Sequence, residues 1–303
     1  YMKKAVFNNK GFTLVELLIV CAMLGIVMGA IFTLYQTHQR SAYTQEEVVE
    51  VQQNLRIAMD SITRDIKMAG FLTPLPQTTT NQAPLRAATA NSLTVNTGSE
   101  GGKYARITSN NQTVTLALND TINLSVDSVA NFDSNDVIRI IRPADNTQGV
   151  PVSFTVTGVR TSTACGLESA PCLILQARAP GSGSINRNDM IVRTGTTASE
   201  TYPNTIQYAY SAGAVGTTCS SNCLTRAATG AGTSTEVVAN NITNLQFSYI
   251  LDNGTETTAP DLSTIRAVRV TITGQTVTTT ALSGNQAKER QIASIVRIRN
   301  RRL

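Results

Sequence analysis

From Leu17 to Tyr35 the chain carries no charged residue, and with Phe12 to Val15 its apolar stretch reaches about 24 residues. As a helix rising about 1.5 Å per residue this is roughly 36 Å, enough to cross a bilayer hydrocarbon core of roughly 30 Å. Such a segment has to be helical, because a helix satisfies its own backbone in lipid. Lys3, Lys4 and Lys10 precede it, and Glu46, Glu47 and Glu50 follow. The positive-inside rule therefore places the N-terminus in the cytoplasm and the rest of the chain outside.

A secretory signal has a short apolar core and a small-residue cleavage site after it. Here the order is reversed. Gly11 stands before the apolar run, directly after Lys10, and one carboxylate, Glu16, lies inside the run. Lys10-Gly11-Phe12-Thr13-Leu14-Val15-Glu16-Leu17-Leu18-Ile19 closely resembles the class III signal of type IV prepilins and type II secretion pseudopilins. The resemblance implies cleavage between Gly11 and Phe12 by a prepilin peptidase on the cytoplasmic face, N-methylation of Phe12, and retention of the helix in the mature protein. It also implies an inner-membrane subunit with its outer domain in the periplasm, which later joins other pilin and minor pilin subunits in a pilus or at the cell surface.

Glu16 has a physical reading of its own. A carboxylate at the centre of a bilayer costs about 2.5–3.5 kcal/mol on insertion scales unless it finds a partner. Cleavage after Gly11 creates an amine at Phe12, which can neutralise Glu16 within the subunit or in a neighbour. Burial of the helix in a bundle then depends on correct docking, and this makes Glu16 the assembly residue. The alternative is a carboxylate that reaches back to the cytoplasmic interface.

The helical pattern continues past the membrane stretch. Val48, Val51, Leu55, Met59, Ile62, Ile66 and Ala69 recur at spacings of three and four, one stripe of an α-helix. Gly70 fits a C-terminal cap and Pro74 closes the element. A helix over about 12–70 is expected, its first half facing lipid or other helices and its second half laid on a sheet. Gly25 and Gly29 have the spacing that permits close helix approach, a spacing that also arises by chance. His38, the single histidine, reads as a surface residue.

Beyond Pro74 short β-type runs alternate with turn residues, and Thr, Ser, Asn and Gly crowd about 76–285. Strands are expected over 92–95, 105–108, 113–118, 136–141, 153–159, 172–176, 190–193, 205–210, 242–251, 265–273 and 292–298. Alternation is clearest at Arg266 to Ile272, where Val268, Val270 and Ile272 share a face. The Gly/Ser/Thr-rich stretch 211–235 reads either as a domain boundary or as a decorating loop. The expected fold class is α+β and pilin-like, with one long N-terminal helix packed on a β-rich domain. The chain divides into a leader at 1–11, a transmembrane assembly helix at 12–35, its amphipathic continuation at 36–71 and a β-rich extracytoplasmic domain at 72–303.

Arg64-Asp65-Ile66-Lys67-Met68-Ala69-Gly70-Phe71 and Ile242-Thr243-Asn244-Leu245-Gln246-Phe247-Ser248-Tyr249 narrow the resemblance to PilW-type minor pilins. The strand at Arg266 to Ile272 and the ending Val296-Arg297-Ile298-Arg299-Asn300 add to it. J-type pseudopilins share this outline. The likeness is tight over 10–71 and loose over 236–303, and it implies a subunit that primes or caps a filament. A surface-binding module built on the loops at 76–130 and 211–235 is a second reading.

Composition argues against other classes. The net charge is +5, the chain has no Trp and aromatics are 5% of it, without the dense basic face of a nucleic-acid binder. With one histidine beside the membrane stretch, His-dependent nucleophilic catalysis has no base, and no catalytic residue or cofactor is assigned. Cys21 lies in the membrane helix as a small apolar residue. The other four cysteines of an exported domain suggest two disulfides. Of three possible pairings, Cys165 with Cys172 and Cys219 with Cys223 are favoured as local, and the spacings do not suit a four-cysteine zinc site. Asp252, Asn253, Glu256 and Asp261 are oxygen-rich enough for Ca²⁺, but a solvated hairpin turn is the plainer reading because EF-hand spacing is absent.

Overall fold

The computed structural model describes residues 13–73, 84–98, 103–144, 147–197, 199–200, 204–216, 219, 221–229, 234–276 and 287–300. Contacts divide the chain into two compact units, 1–50 with 276–288, and 51–275 with 289–303. A long N-terminal helix followed by a β-rich region gives an α+β, pilin-like fold. The helix, α1 (Leu14–Met68), contains the one span among the described residues that is long and apolar enough to cross a membrane.

In the first unit the early turns of α1 bury nothing. The large apolar side chains from Leu14 to Tyr35 are 52–75% exposed. So continuous an apolar surface is far larger than a soluble monomer leaves in water. It needs lipid or other helices around it.

In the second unit α1 turns one face inward. Val51, Leu55, Met59, Ile62, Ile66 and Ala69 are buried, while Val48, which belongs to the first unit, is half-buried. The helix ends at Met68, and Gly70 follows at φ +77°, the left-handed cap that glycine adopts without strain. Its amide donates to Asn96 O at 2.7 Å, and Asn300 Nδ2 donates to Ala69 O at 3.3 Å. A Cβ at residue 70 would press on Asn300 O and Pro84 Cγ, both at 3.1 Å.

Two sheets complete this core. A five-stranded sheet runs β1 (Leu85–Ala88), β2 (Ser92–Thr97), β13 (Asn204–Ser211), β14 (Cys223–Thr229) and β15 (Ser234–Ala239). A four-stranded sheet runs β17 (Glu256–Thr257), β16 (Ile242–Leu251), β18 (Ile265–Gln275) and β19 (Glu289–Arg297). Leu245, Phe247 and Tyr249 on β16 and Val268, Val270 and Ile272 on β18 join the helix stripe in one cluster. Burying each such side chain contributes about 1.5–3 kcal/mol.

A second core lies under an eight-stranded sheet, ordered β12 (Ser199–Glu200), β11 (Met190–Thr196), β6 (Asp136–Arg142), β8 (Phe154–Arg160), β9 (Cys172–Ala177) and β5 (Thr121–Ser125). β3 (Tyr104–Arg106) pairs with β11, and β7 (Thr147–Gln148) with β6. A two-stranded ribbon of β4 (Gln112–Leu116) and β10 (Gly181–Ile185) contributes Leu116 and Ile185 to the same core.

Part of the stretch 211–235 is strand. It supplies β14 and the start of β15, paired in the five-stranded sheet. Its Thr/Ala composition masks the alternation, because small side chains such as Ala228 are buried without reading as hydrophobic. β10 is similarly masked, and its glycines serve close packing: a Cβ on Gly183 would strike the carbonyl oxygen of Gly149.

Candidate functional site: the start of the long helix

Thr13 and Glu16 form the first turn of α1. Glu16 Oε2 accepts from Thr13 N at 3.0 Å and from Thr13 Oγ1 at 3.0 Å, and Glu16 N donates to Thr13 Oγ1 at 3.3 Å. This reciprocal arrangement is a capping box, in which the residue just before the helix and the third helical residue satisfy each other's free groups. Thr13 carries this cap, which the sequence analysis does not single out. Its signal, Thr-x-x-Glu before an apolar run, was present. Two of the three bonds end on Oε2 and the third on Thr13 Oγ1, so Oε1 carries none of them. Gly11 and Phe12, the residues of the expected cleavage, lie outside the described residues.

Further along, the polar side chains of the apolar span are satisfied by the helix itself. Thr33 Oγ1 donates to Gly29 O and Thr37 Oγ1 to Thr33 O, each at 2.9 Å. Such back-bonding lets a hydroxyl sit in a nonpolar medium. A Cβ built on Gly25 or Gly29 meets nothing within 4 Å, so both backbones are bare. Cys21 is a free, exposed thiol on the same span.

The remaining cysteines sit in pairs at disulfide distance, with Cα separations of 6.2 Å for Cys165 and Cys172 and 6.3 Å for Cys219 and Cys223. The first loop is also tied down by Glu168, whose Oε2 accepts from Ser109 Oγ at 2.7 Å and Ser125 Oγ at 2.8 Å. The oxygen-rich loop spends its side chains locally. Glu256 accepts from Arg269 Nε at 2.8 Å and Nη2 at 3.1 Å, and these bonds hold its carboxyl below the usual range. Asp261 Oδ1 accepts from Ser263 N at 3.0 Å, and Asn253 Oδ1 from Thr255 N at 2.9 Å. Among the described residues no three His, Cys, Asp or Glu side chains gather as a metal site.

Residues 7–32 match the family described as the prokaryotic N-terminal methylation motif. Comparison with curated proteins and with solved structures finds no match. The motif covers the capping box and most of the exposed apolar span, and it supports a type IV pilin or pseudopilin. Such a leader implies processing by prepilin peptidase and assembly with other pilins. The motif family is structural, not enzymatic, and an apolar N-terminal helix carrying it fits anchoring in the inner membrane.

Proposed function

We propose that this chain is a minor type IV pilin of the PilW type, a structural subunit that primes or caps a filament. The observation that carries the reading is the methylation motif at residues 7–32, lying on the exposed apolar start of a helix whose later turns help build a β-rich core. Cleavage after Gly11 leaves a basic amine on Phe12, one residue before the capping box. Thr13 holds Glu16 Oε2, and Oε1 is available to that amine or to a neighbour's. In the bilayer the subunit is anchored by its helix, N-terminus in the cytoplasm. In the filament the same apolar surface is covered by neighbouring helices, and the charge pair favours the docked register. The disulfides Cys165–Cys172 and Cys219–Cys223 pin loops of the displayed domain.

A surface-binding role for the loops at 76–130 and 211–235 has less support. The exposed large apolar side chains described there are Tyr104 and Leu118, single residues without a contiguous patch.

The test is Glu16→Ala. Removing the charge eases insertion into lipid, so the variant stays in the membrane and is processed. The amine on Phe12 then has no carboxylate to dock against, so the variant is depleted from sheared filaments. Equal amounts of variant and wild type in that fraction refute the assembly role of Glu16.

A further inference from the structure

The edge of the five-stranded sheet leaves a place for one more strand. β15 is the last strand in that sheet, and among the described residues its outer edge has no strand beside it. Alongside runs a groove with a volume of about 570 Å³, floored by Ile57, Ser61 and Arg64 of α1 and walled by Glu236 to Val238. A second groove of about 420 Å³ continues it past Asn54 to Asn240. Consecutive residues of β15 line both. Side chains alternate across a strand, so lining by successive residues means that the groove follows the backbone edge. The helix residues Asn54, Ile57, Ser61 and Arg64 recur at three and four, one stripe lying under the vacant strand position. Ile57 is 56% exposed there. The whole groove lies within the second unit.

Its charge selects the occupant. Arg226 Nε is 2.8 Å from Asp65 Oδ2, and Arg64 Nε is 3.6 Å from Asp65 Oδ1. Asp60 and Glu236, both exposed, put two carboxylates on the rim. Asp65 is buried beneath the groove and does not line it, and its charge is taken up by Arg226 and Arg64, so Asp60 and Glu236 are the carboxylates open to a partner. We infer that this groove receives an extended polypeptide segment of a partner protein that carries basic side chains. The segment adds to the β15 edge through its backbone, sets an apolar residue on Ile57 and meets Asp60 and Glu236 with its cations. Free edges are the usual place for such strand addition. This docking surface is separate from the helix start and does not depend on the assembly reading.

The test uses the full chain in nonionic micelles and three short synthetic peptides. One alternates lysine and valine, one alternates glutamate and valine, and one is the lysine peptide N-methylated at every second backbone amide. Fluorescence anisotropy is expected to show the lysine peptide binding about tenfold or more tighter than either other peptide. The exposed double variant Asp60→Lys, Glu236→Lys should keep the wild-type thermal unfolding and prefer the glutamate peptide. Failure of the lysine peptide to bind, equal binding after N-methylation, or an unchanged preference in the variant overturns the inference. Self-association that protects the β15 amides from exchange overturns it in favour of a second copy as occupant.

Discussion

The carboxylate of Asp65, on the buried face of α1, lies 2.8 Å from Nε of Arg226 on β14 and accepts from Tyr208 Oη at 2.7 Å. Ser61 Oγ lies 2.8 Å from the same phenol oxygen. One helix residue thus anchors α1 to two strands of the five-stranded sheet. Asp65→Ala removes the carboxylate bonded to Arg226, whose side chain is 12% exposed. The expected loss is about 3–5 kcal/mol in chemical denaturation. Adding Arg226→Met should recover part of it, because an apolar residue of similar length tolerates the site. A double variant no more stable than Asp65→Ala contradicts this account of the pair.

Two buried tyrosines set an alkaline limit. Burial raises the Tyr208 phenol well above its usual value, and the Asp65 charge adds to the rise. Burial does the same for Tyr249, whose hydroxyl donates to Thr89 O at 2.8 Å. A raised folded pKa contributes stability that is present below the unfolded value, about 10. Above that pH the unfolded chain loses protons that the folded chain keeps, so stability falls as pH rises. Denaturation midpoints followed from pH 8 upward should decline beyond about pH 10. Tyr249→Phe should make the decline shallower, and an unchanged slope would count against the buried phenol as its source.

The capping box makes a local prediction at the other end of the helix. Thr13→Ala removes the hydroxyl that bridges Glu16 and should loosen the first turn by about 1 kcal/mol. Amide exchange over residues 14–17 in micelles should quicken in Thr13→Ala and stay near wild type in Thr13→Ser. Identical exchange in all three would mean that the cap does not hold the turn.

Much of this architecture is legible in the residues because one rule dominates each element. An uncharged run from Leu17 to Tyr35 followed by a stripe from Val51 to Ala69 permits little but one helix, and α1 runs from Leu14 to Met68. Val268, Val270 and Ile272 alternate cleanly and all three are fully buried. The expected strand 242–251 is β16, Ile242–Leu251. What escapes notice is set by tertiary partners. β10 is a strand because β4 and the Gly149 backbone make it one, not because Gly181-Ser182-Gly183-Ser184 favours extension. β14 and β15 bury Leu224, Ala228 and Ala239, two of them alanines, so period-two patterning fades. Arg226 lies in this disguised stretch, and its partner Asp65 is 161 residues away, beyond the reach of any local pattern.

The two cysteine pairs are open to direct mapping. Peptide mass analysis of non-reduced protein from the membrane should recover Cys165 linked to Cys172 and Cys219 linked to Cys223. Each small loop contributes only about 2–2.5 kcal/mol on the chain-entropy model, so reduction should loosen loops without unfolding either core. A peptide joining Cys165 to Cys219 would contradict the local pairing.

The most direct measurement of the central claim is the mass of the N-terminal peptide of the protein isolated from membranes that contain a prepilin peptidase. The account predicts a peptide beginning at Phe12 with a methylated amine, and retention of residues 1–11 in the Gly11→Ala variant or when the peptidase is absent. A wild-type protein that keeps residues 1–11, or that is cut after the apolar span, would show that this helix is not a processed pilin-type assembly helix.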